Sequence, residues 1–385
     1  MKTAMMITPT CQNKISAQTL ILQLFLSRVK IRVINKIAEI LQLKLVEVKD
    51  LISFSCSELK ERIQELEDAE ISLIINNLKN LDLALTEEKK ISKINAKIIT
   101  ILDEDYPSRL KTIYLAPPVL FVKGNTKLNK QWALAVVGAR KGSKYGNSSL
   151  QQILPEVIST DCMIVSGGAI GIDTMAHEIT LSQSGICVVV FGCGLDYCYP
   201  EANKKLFEKI VENNGSLISI FPLGTAPEKK NFPIRNRVIA GLAEGTLVVQ
   251  AAKKSGSLIT AQIALNENRE VFAIPGPINC ELSQGCNLLI KQGATLTQSA
   301  QDILDHFSLR TDFVISKPIK NNALIYQVEE KEEASPLMRC LETPKSSEEL
   351  ALELNINEEE LIEQLFELSF EGKIVQNFNG SWQKI

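Results

Sequence analysis

The chain has few of the residues that hold metals or form structural disulfides. It contains two histidines, His177 and His306, and its nine cysteines include no C-x-x-C pair. A histidine-based metal site is therefore excluded, and an odd number of scattered cysteines is typical of a reducing compartment. Cys162, Cys187 and Cys193 lie in apolar, strand-like segments, where a free thiol behaves as a small core side chain. We expect no metal or other cofactor, and buried, unreactive thiols.

Long hydrophobic runs are also missing. No segment approaches the roughly 20 uninterrupted apolar residues of a membrane span. The first residues, MKTAMMITPTCQNK, include only a very short apolar stretch and make a poor signal peptide. We therefore expect a cytoplasmic protein that does not contact a membrane. A hydrophobic content of 45% over 385 residues is ordinary for a globular chain of two or three domains.

Charge of one sign is not in large excess, but it is unevenly distributed. The formal net charge is −3, and residues 301–385 carry 8 basic and 17 acidic side chains. The rest of the chain is slightly basic as a result. A strongly basic tail is excluded, so a site for a polyanion would have to be a local patch.

Glycine is absent from residues 17–100, where apolar residues recur three and four positions apart. This spacing predicts short amphipathic helices. We assign residues 1–100 to a helical N-terminal module. A helix-hairpin-helix-like or SAM-like fold is one interpretation, but the diagnostic hairpin glycine is missing, and a plain packing module is favoured.

Residues 101–300 alternate apolar strands with helical segments. The apolar runs are continuous, as in strands that are buried on both faces of a parallel sheet. The pattern predicts a doubly wound α/β domain whose ligands bind at the carboxyl ends of its strands. The predicted strands are Leu134–Val137, Met163–Val165, Ile186–Phe191, Ser216–Ile220, Thr246–Val249 and Glu270–Ile274.

The C-terminal part is predicted to be a linker, 301–335, followed by a winged-helix module, 336–385. Two helix caps, Ser346 with Glu349 and Asn357 with Glu360, and a hairpin turn at Asn379-Gly380 support this interpretation. Its recognition helix would be acidic and repelled by phosphates, so we expect a protein contact there. The carboxylates concerned are those of Glu358, Glu359, Glu360, Glu363 and Glu367.

The segment FPIRNRVIAG, from Phe232 to Gly241, is the most informative part of the chain. Arg235 and Arg237 flank Asn236 directly after a proline and before an apolar run. Two guanidinium groups at the mouth of a helix, where the helix dipole also favours an anion, suit a phosphate ligand.

Glycine- and serine-rich turns follow several of the predicted strands and could face the same crevice. They read VVGARKGSKYG, VSGGAIGID, FGCGLDYCYPEANKK and KKSGS. Tyr197 and Tyr199 could stack on bases. Together with the arginines, these turns predict a polyanion site, and nucleic acid is favoured over a small cofactor. The residues predicted to contact it are Gly138, Arg140, Lys141, Ser166, Gly167, Gly168, Gly171, Gly192, Gly194, Lys204, Lys205, Arg235, Asn236, Arg237, Ser255, Gly256 and Ser257.

Catalytic groups are not evident in these turns. Asp173 could be a base, but a helix-capping role is favoured, and His177 fits a helix face. No G-x-x-x-x-G-K-[ST] motif exists, and the strand that ends at Gly192 lacks the acidic residue that would hold a ribose, which disfavours a dinucleotide-binding regulator. We expect binding without turnover.

The enzymatic alternative is a Rossmann-like nucleotide phosphoribohydrolase. Such enzymes carry a PGG-x-GT turn that is closely followed by a glutamate. The comparable SGSLITAQ segment offers Gln262 instead, and the first carboxylate after it is that of Glu267. This alternative is therefore disfavoured but stays open.

The motifs together resemble the bacterial DNA processing protein A family (DprA, also called Smf). The resemblance is close over residues 103–300, looser in the flanking parts, and most specific in the arginine and SGSL segments. The matching segments, in family order, are VGARKGSKYG, SGGAIGIDTMAH, FGCGLDYCYPEAN, FPIRNRVIAGL, KSGSLITAQIAL and VFAIPGPI.

The resemblance implies an extended Rossmann-like domain without enzymatic activity. It implies a cytoplasmic, dimeric protein that binds single-stranded DNA, protects incoming strands in natural transformation and helps to load the RecA recombinase. The family's site residues map onto Arg140, Arg235, Arg237 and the loop 166–173. Self-association is expected to use the apolar helix around Leu288, Leu289 and Ile290.

The sequence departs from the family pattern at four positions. Ile220 and Gln250 stand where glutamate is usual, and Ala139 where serine is frequent. Loss of two acids near a phosphate site is not expected to weaken DNA binding. Glu201 replaces a lysine of some relatives, and we expect it to weaken binding unless Lys204 or Lys205 compensates.

Overall fold

The computed structural model describes residues 15–308, except 64, 65 and 130, and parts of 337–384, namely 337, 340, 341, 343, 345–354, 356, 357, 361, 362, 364, 365, 368, 369, 374–376 and 381–384. The chain divides into two compact units, Met1–Ile319 and Lys320–Ile385. No helix in the described ranges is long and apolar enough to cross a membrane.

The described N-terminal residues form short amphipathic helices, as predicted. Their inward faces share one core with Val119 and Phe121, which belong to the sheet that follows. The Ser55 hydroxyl and the Glu58 carboxylate cap one of these helices reciprocally. The helices are α1 (Ala17–Leu26), α2 (Ile31–Gln42), α3 (Val48–Ser53), α4 (Cys56–Arg62), α5 (Asp68–Leu78) and α6 (Asp82–Lys93).

A nine-stranded sheet dominates the first unit, with the strand order β1-β2-β6-β5-β4-β3-β7-β8-β9. All pairings from β6 through to β9 are parallel, whereas β2 is antiparallel to both β1 and β6. The strands are β1 (Ala96–Thr100), β2 (Val119–Gly124), β3 (Trp132–Val137), β4 (Cys162–Ser166), β5 (Cys187–Phe191), β6 (Ser216–Ser219), β7 (Gly245–Val248), β8 (Glu270–Ala273) and β9 (Thr295–Leu296).

All six predicted strands are confirmed, and β1, β2 and β9 are additional. Helices cover both faces of the parallel part. Ala133 and Ala135 of β3 pack with one set of helices, and Trp132 and Leu134 pack with the other. The helices are α7 (Ser108–Lys111), α8 (Lys144–Ser159), α9 (Ile172–Ser182), α10 (Lys204–Glu212), α11 (Asn231–Leu242), α12 (Gly256–Asn266), α13 (Gln284–Lys291) and α14 (Ala300–Ser308).

This two-sided burial explains the continuous apolar runs and confirms a Rossmann-like, mainly parallel α/β fold. The antiparallel strands β1 and β2 extend the sheet at one edge. Cys162, Cys187 and Cys193 are buried in this core, as predicted. Burial raises the pKa of the Cys187 thiol to about 12, which keeps the thiol protonated and unreactive.

Helix α14 occupies the start of the segment that the sequence predicted to be a linker, and its Ile303, Leu304 and Phe307 are buried. These apolar residues are three and four positions apart, which is the spacing of an amphipathic helix. The remainder of that segment, residues 309–335, lies outside the described residues.

The C-terminal unit contains α15 (Ser347–Leu354) and the antiparallel strands β10 (Ile374–Gln376) and β11 (Trp382–Lys384). Leu350, Leu361 and Trp382 share its small core. The predicted cap is confirmed, because the Ser346 amide donates to the Glu349 carboxylate and the Glu349 amide donates to the Ser346 hydroxyl. The second predicted cap residue, Glu360, the Asn379-Gly380 turn and the other carboxylates of the predicted acidic helix lie outside the described residues.

Candidate nucleic-acid interface

A cavity of about 300 Å³ opens at the carboxyl ends of β3, β4 and β5, beside the first turn of α11. Residues from three of the predicted turns and from the arginine segment meet there, as the sequence predicted. Arg140 and Lys141 follow β3, Gly167 follows β4, Gly192 follows β5, and Arg235 belongs to α11. The carboxyl edge of a parallel sheet therefore brings together residues that are far apart in the chain.

The first turn leaves its cations accessible. Arg140 and Lys141 are exposed, and neither pairs with a carboxylate among the described residues. Gly138 is required for close packing, because a Cβ there would lie 2.6 Å from the Ile172 side chain. The backbone is thus held tightly against α9 while the two charges face solvent.

The second turn is different, because a carboxylate of its own occupies its amides. The Asp173 carboxylate accepts from the Gly167 amide at 3.1 Å and from the Ala169 amide at 3.2 Å. Burial raises the pKa of Asp173, and the nearby Arg235 charge and these amides oppose that rise. The expectation that these amides cradle a phosphate is wrong in this structure, and Asp173 binds the preceding loop instead of capping α9.

The other polar and glycine residues of this turn are also used internally. The Ser166 hydroxyl donates to the Val136 carbonyl at 2.6 Å. Gly168 and Gly171 have φ values of +66° and +93°, and a Cβ at Gly171 would lie 2.4 Å from the carbonyl oxygens of Ala139 and Arg140. Glycine is therefore needed here for backbone conformation and close approach.

Arg235 forms the floor of the cavity and is only 6% exposed. Its guanidinium donates to the Gly167 carbonyl at 2.8 Å and to the Val190 carbonyl, and its Nε donates to the Asn236 side chain at 3.1 Å. Burial lowers its pKa to about 10, so the group is still a cation at neutral pH. Arg235 thus joins the ends of β4 and β5 and places a positive charge beneath the cavity.

The two arginines do not act as a pair. Helix α11 begins at Asn231, so Pro233 lies within its first turn and both arginines lie inside the helix. Residues two apart on a helix point in different directions. The Arg237 guanidinium donates to the Tyr114 carbonyl and, at 3.5 Å, to the Leu115 carbonyl, away from the cavity lining. The expectation that both face one phosphate is therefore corrected.

Phe232 is a central residue of the cavity that sequence reasoning did not select. Its ring lies 5.6 Å from the Arg235 guanidinium carbon and 6.0 Å from that of Arg140, and its centroid lies 5.7 Å from that of Tyr199. Such distances are within the range of cation–π and aromatic contacts. The available signal was its place at the start of the arginine segment. Tyr197, the other predicted stacking residue, is exposed outside the lining.

The third turn contributes Gly192 to the lining but uses Gly194 for packing. The Gly194 amide donates to the Thr225 carbonyl at 2.9 Å, and a Cβ there would lie 2.7 Å from the Pro222 carbonyl oxygen. Lys204 and Lys205 are exposed at the start of α10 and are not part of the lining. Glu201 is exposed in the 3₁₀ turn just before them.

The SGS segment lies outside the cavity. Ser255 caps α12 by accepting from the Ser257 amide at 3.3 Å, Ser257 is buried, and Gly256 is exposed. The usual ligand position of this fold, between the diverging turns after β3 and β7, is filled by Gln250, which is 2% exposed. The Gln250 side chain accepts from the Ser143 amide at 2.9 Å.

Asp173, the candidate base nearest to the cavity, is buried behind the lining residues Gly167 and Ala169, and the other candidate acid–base groups are not part of the lining. His177 is completely buried in α9, neither ring nitrogen has a partner among the described residues, and burial lowers its pKa to about 4. Gln262 bonds to Asn266, and the Glu267 carboxylate accepts from the Tyr114 amide. The described lining contains no carboxylate.

Comparison with known proteins identifies the family to which this architecture belongs. A family model described as DNA recombination-mediator protein A matches residues 97–308, from β1 to the end of α14. DNA processing protein DprA of Streptococcus pneumoniae is 47% identical over 208 residues, which cover 54% of this chain and 73% of that protein.

Solved structures show the same relationship. The X-ray structure of Streptococcus pneumoniae DprA aligns with a TM-score of 0.66 and 36% identity, over 77% of this chain and 99% of that one. DNA processing protein A of Helicobacter pylori, described for its single-stranded DNA binding mode, aligns with a TM-score of 0.50 and 28% identity, over 57% and 97%. This chain belongs to the DNA recombination-mediator protein A (DprA/Smf) family.

Proposed function

We propose that this protein binds single-stranded DNA at the Arg140 cavity, defined by Arg140, Lys141, Tyr199, Phe232 and Arg235. The observation that carries the proposal is the combination of two exposed cations with an aromatic pair above a buried arginine. The binding mode described for the Helicobacter pylori relative supports the same ligand.

The chemistry of the cavity favours single strands. Arg140 and Lys141 suit phosphates, which carry no sequence information. Tyr199 and Phe232 offer aromatic faces to bases, and a base can reach them only when it is unstacked from its neighbours. A duplex keeps its bases stacked and paired, so it would gain the phosphate contacts but lose the aromatic ones.

We further propose that the protein acts in the cytoplasm as a dimeric recombination mediator that protects incoming DNA in transformation and helps to load a RecA recombinase. The family assignment supports this role. On α13, Leu288 is exposed and Leu289 is buried, so Leu288 is the better candidate for the dimer contact. DNA contacts by Lys204 and Lys205, which lie outside the cavity lining, stay predictions.

The domain assignment is likewise a proposal: a helical module 1–100, a DNA-binding domain 101–300, a linker 301–335 and a winged-helix module 336–385. Helix α15 and the paired strands β10 and β11 support the last of these. The phosphoribohydrolase alternative would need a carboxylate beside the bound nucleotide, and the described cavity lining supplies none.

The test is fluorescence anisotropy with labelled oligothymidine at two salt concentrations, with duplex DNA as competitor. We expect salt-sensitive binding that duplex does not displace. Arg140→Ala with Lys141→Ala should weaken it about tenfold and make the slope of log K against log salt shallower by about 1.4, since each phosphate contact on a single strand contributes about 0.7.

The folded state should be unaffected, because both side chains are exposed. Lys253→Ala with Lys254→Ala, which removes two exposed cations outside the lining, is the matched control. An unchanged slope in the Arg140/Lys141 variant would refute the assignment of this cavity. Release of free base from a nucleoside monophosphate would instead revive the hydrolase.

A further inference from the structure

A larger cleft, of about 710 Å³, lies between the N-terminal helices and the segment that follows β1. Four cations line it: Arg32 and Lys36 from α2, Arg62 from the end of α4, and Lys111 from α7. One carboxylate, that of Glu39, is also present, and Lys36 pairs with it at 2.8 Å. The lining therefore has a clear excess of positive charge.

The walls of this cleft belong to one continuous body. The Asn35 side chain of α2 donates to the Ala116 carbonyl at 2.9 Å, which ties the helices to the segment after β1. Ile63, Ile113 and Leu115 supply apolar surface beneath the cations. A cationic rim above aliphatic walls suits a ligand that carries phosphates on an otherwise uncharged frame.

Helix α11 connects the cleft with the Arg140 cavity. Phe232 and Arg235, in its first half, line the cavity. Arg237, two residues further on, binds the carbonyls of Tyr114 and Leu115, and Leu115 lines the cleft. Helix α11 therefore lines the cavity with one pair of side chains and contacts a lining residue of the cleft with a third side chain.

We propose that this cleft, through Arg32, Lys36, Arg62 and Lys111, binds the phosphodiester backbone of single-stranded DNA as a second contact for the strand held at the Arg140 cavity. The inference rests on the proposed function. Because α11 contacts residues of both openings, a strand bound at the cavity is favoured as the ligand of the cleft. An acidic protein segment would match the charge equally well, but its binding would not explain why the cleft and the cavity share a helix.

The test compares salt slopes for two lengths of oligothymidine, about 6 and about 30 nucleotides, which bracket typical site sizes. In Arg62→Ala with Lys111→Ala, the slope for the long strand should become shallower by about 1.4, which is two contacts at about 0.7 each, and that for the short strand should not change. Lys49→Ala with Lys60→Ala removes two exposed cations of α3 and α4 that lie outside the lining and should leave both slopes unchanged.

An unchanged long-strand slope in the Arg62/Lys111 variant would overturn the proposal, and so would equal weakening of both lengths. Binding of polyglutamate that this variant loses, with unchanged DNA slopes, would assign the cleft to an acidic protein. If the Arg140/Lys141 variant binds normally while the Arg62/Lys111 variant loses the long strand, the cleft stands and the cavity assignment falls. Absence of DNA binding by the wild-type chain would refute both.

Discussion

The first and second glycine turns look alike in sequence, but their polar groups have different partners. After β3, Arg140 and Lys141 are exposed at the cavity. After β4, the amides of Gly167 and Ala169 are already bound by Asp173. Both turns follow a buried strand and precede a helix, yet only the first has free charge to offer to a ligand.

A glycine-rich turn at a helix start therefore has a structural role that can exclude anion binding. Its amides bind phosphate only if the protein has not satisfied them itself. In this molecule the second turn supplies a rigid wall, and Arg235 crosses it to the Gly167 carbonyl. Ligand recognition then depends on the cavity side chains that this turn holds in place, such as that of Arg235.

The largest expected effect is at the contact between the two turns. Gly171→Ala would place a Cβ 2.4 Å from the carbonyl oxygens of Ala139 and Arg140, at a φ of +93°. We expect a loss of about 3 kcal/mol in the free energy of unfolding, measured by urea denaturation, because both strain and overlap arise. Gly256→Ala, which has open space around it, is the control and should change stability by less than about 0.5 kcal/mol. Equal stability of the two variants would contradict the packing of the turns.

A smaller effect concerns the helix that follows the second turn. His177 has a pKa of about 4 in the folded state because burial disfavours its charged form. Its pKa in the unfolded chain is about 6.5, so between these values the unfolded state binds more protons and stability rises with pH. From pH 7 to pH 5 we expect this histidine to cost about 2 kcal/mol.

His177→Leu should remove that part of the pH dependence. The measurement is urea unfolding of both proteins at pH 7 and pH 5. The quantity compared is the change in the free energy of unfolding between the two pH values, in wild type and in the variant. Parallel pH profiles for wild type and variant would show that the buried ring does not titrate as its surroundings indicate.

The smallest effect is expected for Arg237→Ala. Like Asp173 in the second turn, Arg237 binds backbone groups of its own protein, the carbonyls of Tyr114 and Leu115. Its removal should change the affinity for a strand of about 6 nucleotides less than twofold and leave the salt slope unaltered. A slope shallower by about 0.7 would mean that Arg237 leaves those carbonyls and contacts a phosphate.

The parallel sheet was predictable because strands buried on both faces leave continuous apolar runs, as in Trp132–Val137. The antiparallel strand β1 was missed because Lys97 interrupts its short apolar run, and β2 because Pro117 and Pro118 directly precede its apolar residues. Strand β9 has only two residues and leaves no periodic signal.

At the site, the sequence indicated which turns converge but not how their groups are used. The partner of Arg237 lies 123 positions away, and that of Arg235 lies 68 positions away. Such pairings are decided by the path of the chain through space, which local patterns do not encode. Phe232 was overlooked for the same reason, since only the fold brings Arg140 and Tyr199 to its ring.

Gln250 has a consequence for the protein's surroundings. By bonding to Ser143 it closes the crevice in which Rossmann-like proteins commonly hold mononucleotides and dinucleotides. A mononucleotide could therefore enter that crevice only if the Gln250 side chain moved away from Ser143. A single amide side chain thereby closes the usual ligand position of the fold, whereas the Arg140 cavity at the same edge of the sheet is open.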